Sequence, residues 1–139
     1  MRSRLPGKPG RINRKFFNAC IQAYQTAGFG QFEISYLEWP IGRVQIRATN
    51  AFEAWLYRQK KNIPDTPICS YSAGVFVGFV NALADRQDVV CIEHTCEARG
   101  DEACFFELLP ASQAGRKNGR SLHPRSRPGP PTQPAGNAL

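Results

Sequence analysis

Residues 69–109 read CSYSAGVFVGFVNALADRQDVVCIEHTCEARGDEACFFELL, and two periodicities meet inside that stretch. In its first half Phe76, Phe79, Val80 and Leu83 recur at the spacing of one helical face, while Gly74, Gly78 and Ala82 form a stripe of small residues at i, i+4 and i+8. This spacing predicts a helix over 70–84. Each glycine costs a helix about 1 kcal/mol relative to alanine, so the stripe predicts close packing, most simply against a sheet. In the second half, 88–95 (DVVCIEHT) and 103–109 (ACFFELL) are short runs rich in β-branched and aromatic residues, joined by a polar connection that holds Gly100. They predict a β-hairpin.

The same signals extend upstream. Phe32, Ile34 and Tyr36 alternate with polar neighbours, a turn follows at Trp39-Pro40-Ile41-Gly42, and residues 44–48 alternate again, which predicts a first hairpin. Asn50-Ala51-Phe52-Glu53 has the asparagine and the later glutamate of a capping box, and Phe52, Trp55 and Leu56 continue as a narrow apolar stripe to about Lys60. The link KNIPDTP contains two prolines and is expected to be a loop. From about Asn13, residues Phe17, Cys20, Ile21 and Tyr24 share one helical face, closed by Gly28. The fold class is therefore α+β: a small antiparallel sheet of about four strands packed with about three helices.

Both ends differ from this middle. Residues 1–12 are rich in Arg, Pro and Gly, and residues 111–139 lack any helical or strand period, so each is expected to be a disordered basic segment around a folded domain at 13–110. Residues 1–15 hold six bases and residues 111–139 hold five, with no acid in either. The middle has seven bases against all eleven acids. A folded domain that binds nucleic acid presents positive charge on a face that tracks phosphates, and this one is acidic. The tails can still make weak, non-specific contacts with nucleic acid. No apolar stretch approaches the ~20 residues that span a membrane, and the basic start is not followed by the apolar run of a secretory signal. A reducing cytoplasm is the expected compartment, where five cysteines are better suited to metal binding or free thiols than to disulfides.

Cys96 and Cys104 bracket the last hairpin turn, Glu93 lies just upstream, and Cys69 stands immediately before the helix. Thiolates are soft ligands suited to zinc, and two on facing arms of a hairpin can converge on one ion, with a carboxylate oxygen completing a tetrahedron. Cys69 at a helix start is favoured in its ionised, metal-binding form. Cys91 shares the strand face of Glu93 and is either a further candidate ligand or a small buried residue. His94 points to the other face, and Cys20 sits on the apolar stripe of the first helix.

The run from Cys69 through the glycine-punctuated helix to Glu93, Cys96 and Cys104, with Asn50-Ala51-Phe52-Glu53-Ala54 upstream, resembles the 4-vinyl reductase (4VR) domain family. Related zinc-containing domains form the aromatic-sensing regions of phenol- and xylene-responsive bacterial activators. The resemblance covers residues 45–109 well and 13–44 in general pattern. It implies that Cys69, Glu93, Cys96 and Cys104 ligate zinc, stapling the C-terminal hairpin, and that Cys91 and His94 do not. A tryptophan that contacts the phenolic ligand in those sensors is matched here by Ala48-Thr49, so phenol specificity is not implied.

The family name invites an oxidoreductase reading, yet Gly28-x-Gly30 lacks the third glycine and the strand-to-helix context of a dinucleotide fingerprint. Zinc with four protein ligands also leaves no open position for catalysis. The expectation is a standalone binding or sensor module for an apolar or aromatic small molecule. Alternatives are an accessory carrier in tetrapyrrole or bacteriochlorophyll metabolism, and a protein or nucleic-acid interaction module acting through its tails. A distant likeness to subunits of vesicle-tethering complexes adds the expectation of a homodimer. The candidate ligand residues are Tyr36, Trp55, Tyr71 and Phe76, in a pocket where Phe32, Ile34, Tyr36, Val44 and Ile46 make one sheet face covered by Trp55 and Phe76. The same residue types at the same periods would equally build a plain core.

Overall fold

Four helices and four antiparallel strands are present among the described residues, which in the computed structural model are 9–39, 41–60 and 63–115. Helix α1 (Pro9–Thr26) turns Phe17, Ile21 and Tyr24 into the core, since residues so spaced share one helical face. It starts ahead of the expected Asn13. Proline suits a first helical position because its missing N–H would have no intrahelical partner there.

Strands β1 (Gln31–Glu38) and β2 (Arg43–Thr49) form the first hairpin, and Gly42 takes the left-handed conformation (φ 74°) that its turn requires. Helix α2 (Phe52–Arg58) follows. Helix α3 (Ser70–Ala84) then returns across the sheet, and strands β3 (Val89–Thr95) and β4 (Cys104–Pro110) close it. A single turn of helix, α4 (Ala111–Ala114), caps β4, so the first residues of the expected C-terminal tail are folded. The sheet order is β1-β2-β4-β3: β4 enters between the first hairpin and its own partner β3. Residues 1–8 and 116–139, expected to be disordered, lie outside the described residues. No helix among the described residues is long and apolar enough to cross a membrane.

Val44, Ile46 and Ala48 of β2 and Cys104, Phe106 and Leu108 of β4 all point to the helix side and are fully buried. Phe76 of α3 stands edge-on to Tyr24, Phe32 and Phe106 at centroid distances of 5.6, 5.4 and 5.2 Å. Such pairs contribute about 0.5–1.5 kcal/mol each beyond area burial. On the opposite sheet face Glu107 is also buried. Its carboxylate accepts from Gln45 Nε2 at 3.2 Å, faces His94 Nε2 at 3.2 Å and lies 3.8 Å from the Arg43 guanidinium, which satisfies a charge that is costly to bury alone.

Three expectations change. The face of α3 that meets the core is Ser72, Phe76 and Val80, and the glycine stripe lies outward: a Cβ added at Gly74 or Gly78 would meet nothing within 4 Å. The predicted close packing is absent there. A β-bulge between Ile34 and Tyr36 breaks the alternation of β1, so Tyr36 pairs with Gln45 on the outer face while Leu37 takes the position opposite Val44. The predicted capping box also does not form: no side chain caps α2 at Ala51, and Glu53 bonds the start of α3 instead.

Candidate metal centre

Cys69, Glu93, Cys96 and Cys104 come together at the sheet end nearest the start of α3, with their ligand atoms all within 4.8 Å of one another. The three cysteines are fully buried. Cys69 is the residue before α3, Cys104 opens β4 opposite Ala48, and Cys96 lies between the end of β3 and the 3-10 turn Glu97–Arg99. Glu93 and Cys96 are three apart, which in a regular strand would put them on opposite faces. A second bulge, between Glu93 and Thr95, absorbs His94 as an extra residue, so Glu93 opposite Phe106 and Cys96 beyond it both reach the inner side.

The turn between the strands is built around Cys96. Its N–H donates to Asp101 Oδ2 at 2.9 Å, its carbonyl accepts from the Arg99 N–H at 3.0 Å, and Gly100 reverses the chain at φ 90°. The Thr95 hydroxyl ties the two arms by donating to the Ala103 carbonyl at 2.7 Å. The Glu97 N–H points at Cys104 Sγ at 3.3 Å, a contact that favours an anionic sulfur.

The geometry fits a tetrahedral thiophilic cation. Two sulfurs each about 2.3 Å from a shared tetrahedral centre stand about 3.8 Å apart. Cys69 Sγ lies 3.8 Å from both Cys96 Sγ and Cys104 Sγ, well beyond the ~2.05 Å of a disulfide, and all five cysteines are free. Glu93 Oε1 accepts from the Cys69 N–H at 2.9 Å, while its buried Oε2 has no hydrogen-bond partner among the described residues. A buried carboxylate oxygen without a partner is a free ligand position.

The electrostatics agree. Shared hydrogen bonds with Cys104 and Cys96, together with burial, push the Cys69 thiol well above the ordinary thiol range. Hydrogen bonds from the thiols of Cys104 and Cys69 hold Cys96 well below the ordinary thiol range. Burial pushes the Glu93 carboxyl up to about 7. The protein alone thus supports few negative charges in this space, and a divalent cation is what would let all four groups ionise together.

Cys91 faces inward opposite Leu108 but is not one of the four converging residues; burial first, and Glu93 second, push its thiol up to about 12. His94 lies on the other face beside Glu107, and Cys20 is half-buried on α1. Two supporting carboxylates were not legible in sequence. Glu97 accepts from the backbone N–H groups of Ala51 (2.9 Å) and Asn50 (3.2 Å), and Glu53 accepts from those of Ser72 (2.8 Å) and Tyr71 (2.9 Å). These four bonds cross 18 to 47 positions of sequence, and no local motif signals them.

The four candidate ligand-binding residues do not line one pocket. Phe76 is sealed in the core, and Val44 and Ile46, its expected partners in a pocket wall, are fully buried with it. Tyr36 lies on the outer face, where it borders a surface groove of about 350 Å³ with Arg14, Asn18, Ile34, Ser35 and Leu37. Trp55 and Tyr71 are 57% and 59% exposed. Tyr71 stacks on Phe29 at 5.9 Å, and Phe29 meets Phe52 edge-on at 5.9 Å, so an open aromatic face flanks the metal centre where α2 adjoins the start of α3.

The family model of the V4R domain matches residues 50–110. No curated protein matches the chain. Among solved structures, the crystal structure of the phenol-responsive sensory domain of the transcription activator PoxR with phenol aligns with a TM-score of 0.67 at 17% identity, covering 73% of this chain and 52% of that one. At that identity the likeness is one of fold, and the chain spans about half the length of that sensory domain.

Proposed function

We propose that this chain, whose residues 50–110 match the V4R domain, is a small-molecule binding or sensor module in which a zinc ion held by Cys69, Glu93, Cys96 and Cys104 pins the last hairpin to the start of α3. With four protein ligands the ion supplies folding free energy and leaves no open coordination position. The folded unit in this reading is the segment from α1 to α4, with the basic ends as appendages.

One observation carries the binding role: Phe52, Trp55 and Tyr71 are exposed where α2 adjoins the start of α3, and the half-buried Phe29 stacks on Tyr71 and meets Phe52 edge-on. Exposed aromatic side chains grouped on one part of a folded domain fit an apolar or aromatic ligand, with the Tyr71 hydroxyl as a polar contact. The fold shared with a phenol-responsive sensory domain supports the same reading. Tyr36 and Phe76 are not part of this face.

The test is a panel of aromatic and alkyl-aromatic compounds on zinc-loaded protein, read by melting temperature and tryptophan fluorescence. A binder raises the melting temperature with the logarithm of its concentration above Kd. Trp55→Ala is expected to abolish the shift with zinc content unchanged; the second tryptophan, Trp39, packs on Phe17 at 5.7 Å and serves as an internal reference. A chemically diverse apolar panel that stabilises nothing overturns the binding role.

A further inference from the structure

Helix α2 has little hold on the rest of the fold. It is seven residues long, Ala54 is its one buried residue, and its main packing partner is the 3-10 turn Glu97–Arg99 that follows Cys96. Its first N–H, from Phe52, donates to the Phe29 carbonyl at 3.0 Å, and two carboxylates supply the rest of what packing does not. Glu97, from that turn, binds the N–H groups of Asn50 and Ala51 where the chain enters α2. Glu53, from the first turn of α2, binds the N–H groups of Tyr71 and Ser72 just beyond Cys69. Asn50 itself adopts a left-handed conformation (φ 52°), which the Glu97 bond holds in place.

These links form a closed circuit. Cys69 leads into α3, α3 is bonded to Glu53 on α2, α2 is bonded to Glu97, and Glu97 lies between Cys96 and Cys104, donating its own N–H to the Cys104 sulfur. Three of the four candidate metal ligands are therefore at the two ends of the path that positions α2, and α2 carries Phe52 and Trp55 of the open aromatic face.

We infer that Glu97 and Glu53 are positioning residues that make the placement of α2, and with it the aromatic face, depend on occupancy of the metal centre. This rests on the proposed zinc site. When the cation draws Cys69, Cys96 and Cys104 onto one centre, the α3 start and the 3-10 turn are set at a fixed separation, and α2 spans it. When the cation leaves, the two anchor points move independently and α2 loses its support before the core does. Helix α2 gives the buried core little, Ala54 alone of its own residues, whereas Phe76 packs edge-on to Tyr24, Phe32 and Phe106 without it.

The experiment is amide hydrogen exchange on the full chain, zinc-loaded and chelator-stripped, with zinc per chain measured in each sample. Stripping is expected to raise exchange in 50–58 at least tenfold more than in β2 (43–49) and residues 17–24. Glu97→Gln with zinc bound is expected to raise exchange in 50–58 selectively and to weaken the effect of stripping there, because an amide offers one acceptor where the carboxylate offers two. Glu97→Asp, which keeps both acceptors, is expected to restore part of the protection. If the stripped wild type unfolds throughout, the zinc-bound Glu97→Gln sample decides: selective loosening of 50–58 supports the coupling and unchanged protection overturns it. One zinc per chain with identical exchange in 50–58 before and after stripping overturns the coupling alone. A chain that takes up no zinc overturns the metal reading and the coupling together.

Discussion

At the level of single residues, the centre is defined by what each ligand atom lacks. Glu93 Oε2 is buried with no partner among the described residues, and the hydrogen bonds shared by three buried sulfurs push the Cys69 thiol up and the Cys96 thiol down. Replacing either hairpin thiol should therefore remove a coordination position and leave the remaining groups in a space too apolar for their charge. Cys96→Ser and Cys104→Ser are each expected to lower zinc from one per chain to near none. Loss of a structural metal belongs among the substitutions costing more than about 4 kcal/mol. With a melting shift of roughly 4–8 °C per kcal/mol for a domain of this size, both variants should melt more than about 15 °C lower. Cys20→Ser, half-buried on α1 and outside the cluster, is expected to keep its metal, as measured by atomic emission on the purified chains. Full zinc occupancy in the two hairpin variants would sink the assignment.

At the level of elements, two bulges and one helix face decide the outcome. The bulge at His94 reverses the parity of β3 and brings Glu93 and Cys96 to one side; the bulge between Ile34 and Tyr36 reverses β1 and sends Tyr36 outward. Each is one inserted residue, and alternation in the sequence cannot reveal it, because what fixes the register is the partner strand. Helix α3 carries an untested reserve of stability. Gly74 and Gly78 have no positive φ, and a Cβ at either would meet open space. Gly74→Ala and Gly78→Ala are each expected to stabilise the chain by about 0.4–1 kcal/mol, mainly by restricting the unfolded state. A denaturant titration with unchanged slope and a raised midpoint is the expected result, and a lowered midpoint would show that this face serves a close contact.

At the level of the whole molecule, the buried core, the candidate ligands and the open aromatic face all fall between α1 and α4. A chain trimmed to residues 9–115 is expected to fold, bind one zinc and melt at the temperature of the full chain, since it keeps every core residue found among the described residues. The trimming removes Arg2, Arg4 and Lys8 at one end and Arg116, Lys117, Arg120, Arg125 and Arg127 at the other. Any attraction of the full chain to nucleic acid that weakens steeply with salt should therefore disappear. Retention of that binding by the trimmed chain would place it on the folded domain instead.

The sequence by itself determined the element types, the α+β class and the metal candidates. The helical spacing of Phe17, Ile21 and Tyr24, the alternation in 44–48 and the thiols flanking a polar turn are local patterns with local physical causes. The tertiary structure alone decided the insertion of β4 between β2 and β3, the two bulges, the sealing of Phe76 in the core and the exchange of caps between Glu97, Glu53 and the two helix starts. These depend on contacts between residues far apart in the chain. Asn50 and Glu53 have the spacing of a reciprocal cap, yet the glutamate finds better donors on α3, and the entry to α2 is held by a glutamate 46 positions away from Ala51. Spacing identifies which groups are able to bond. Packing chooses among them, because only one arrangement satisfies the buried N–H groups and fills the core at the same time.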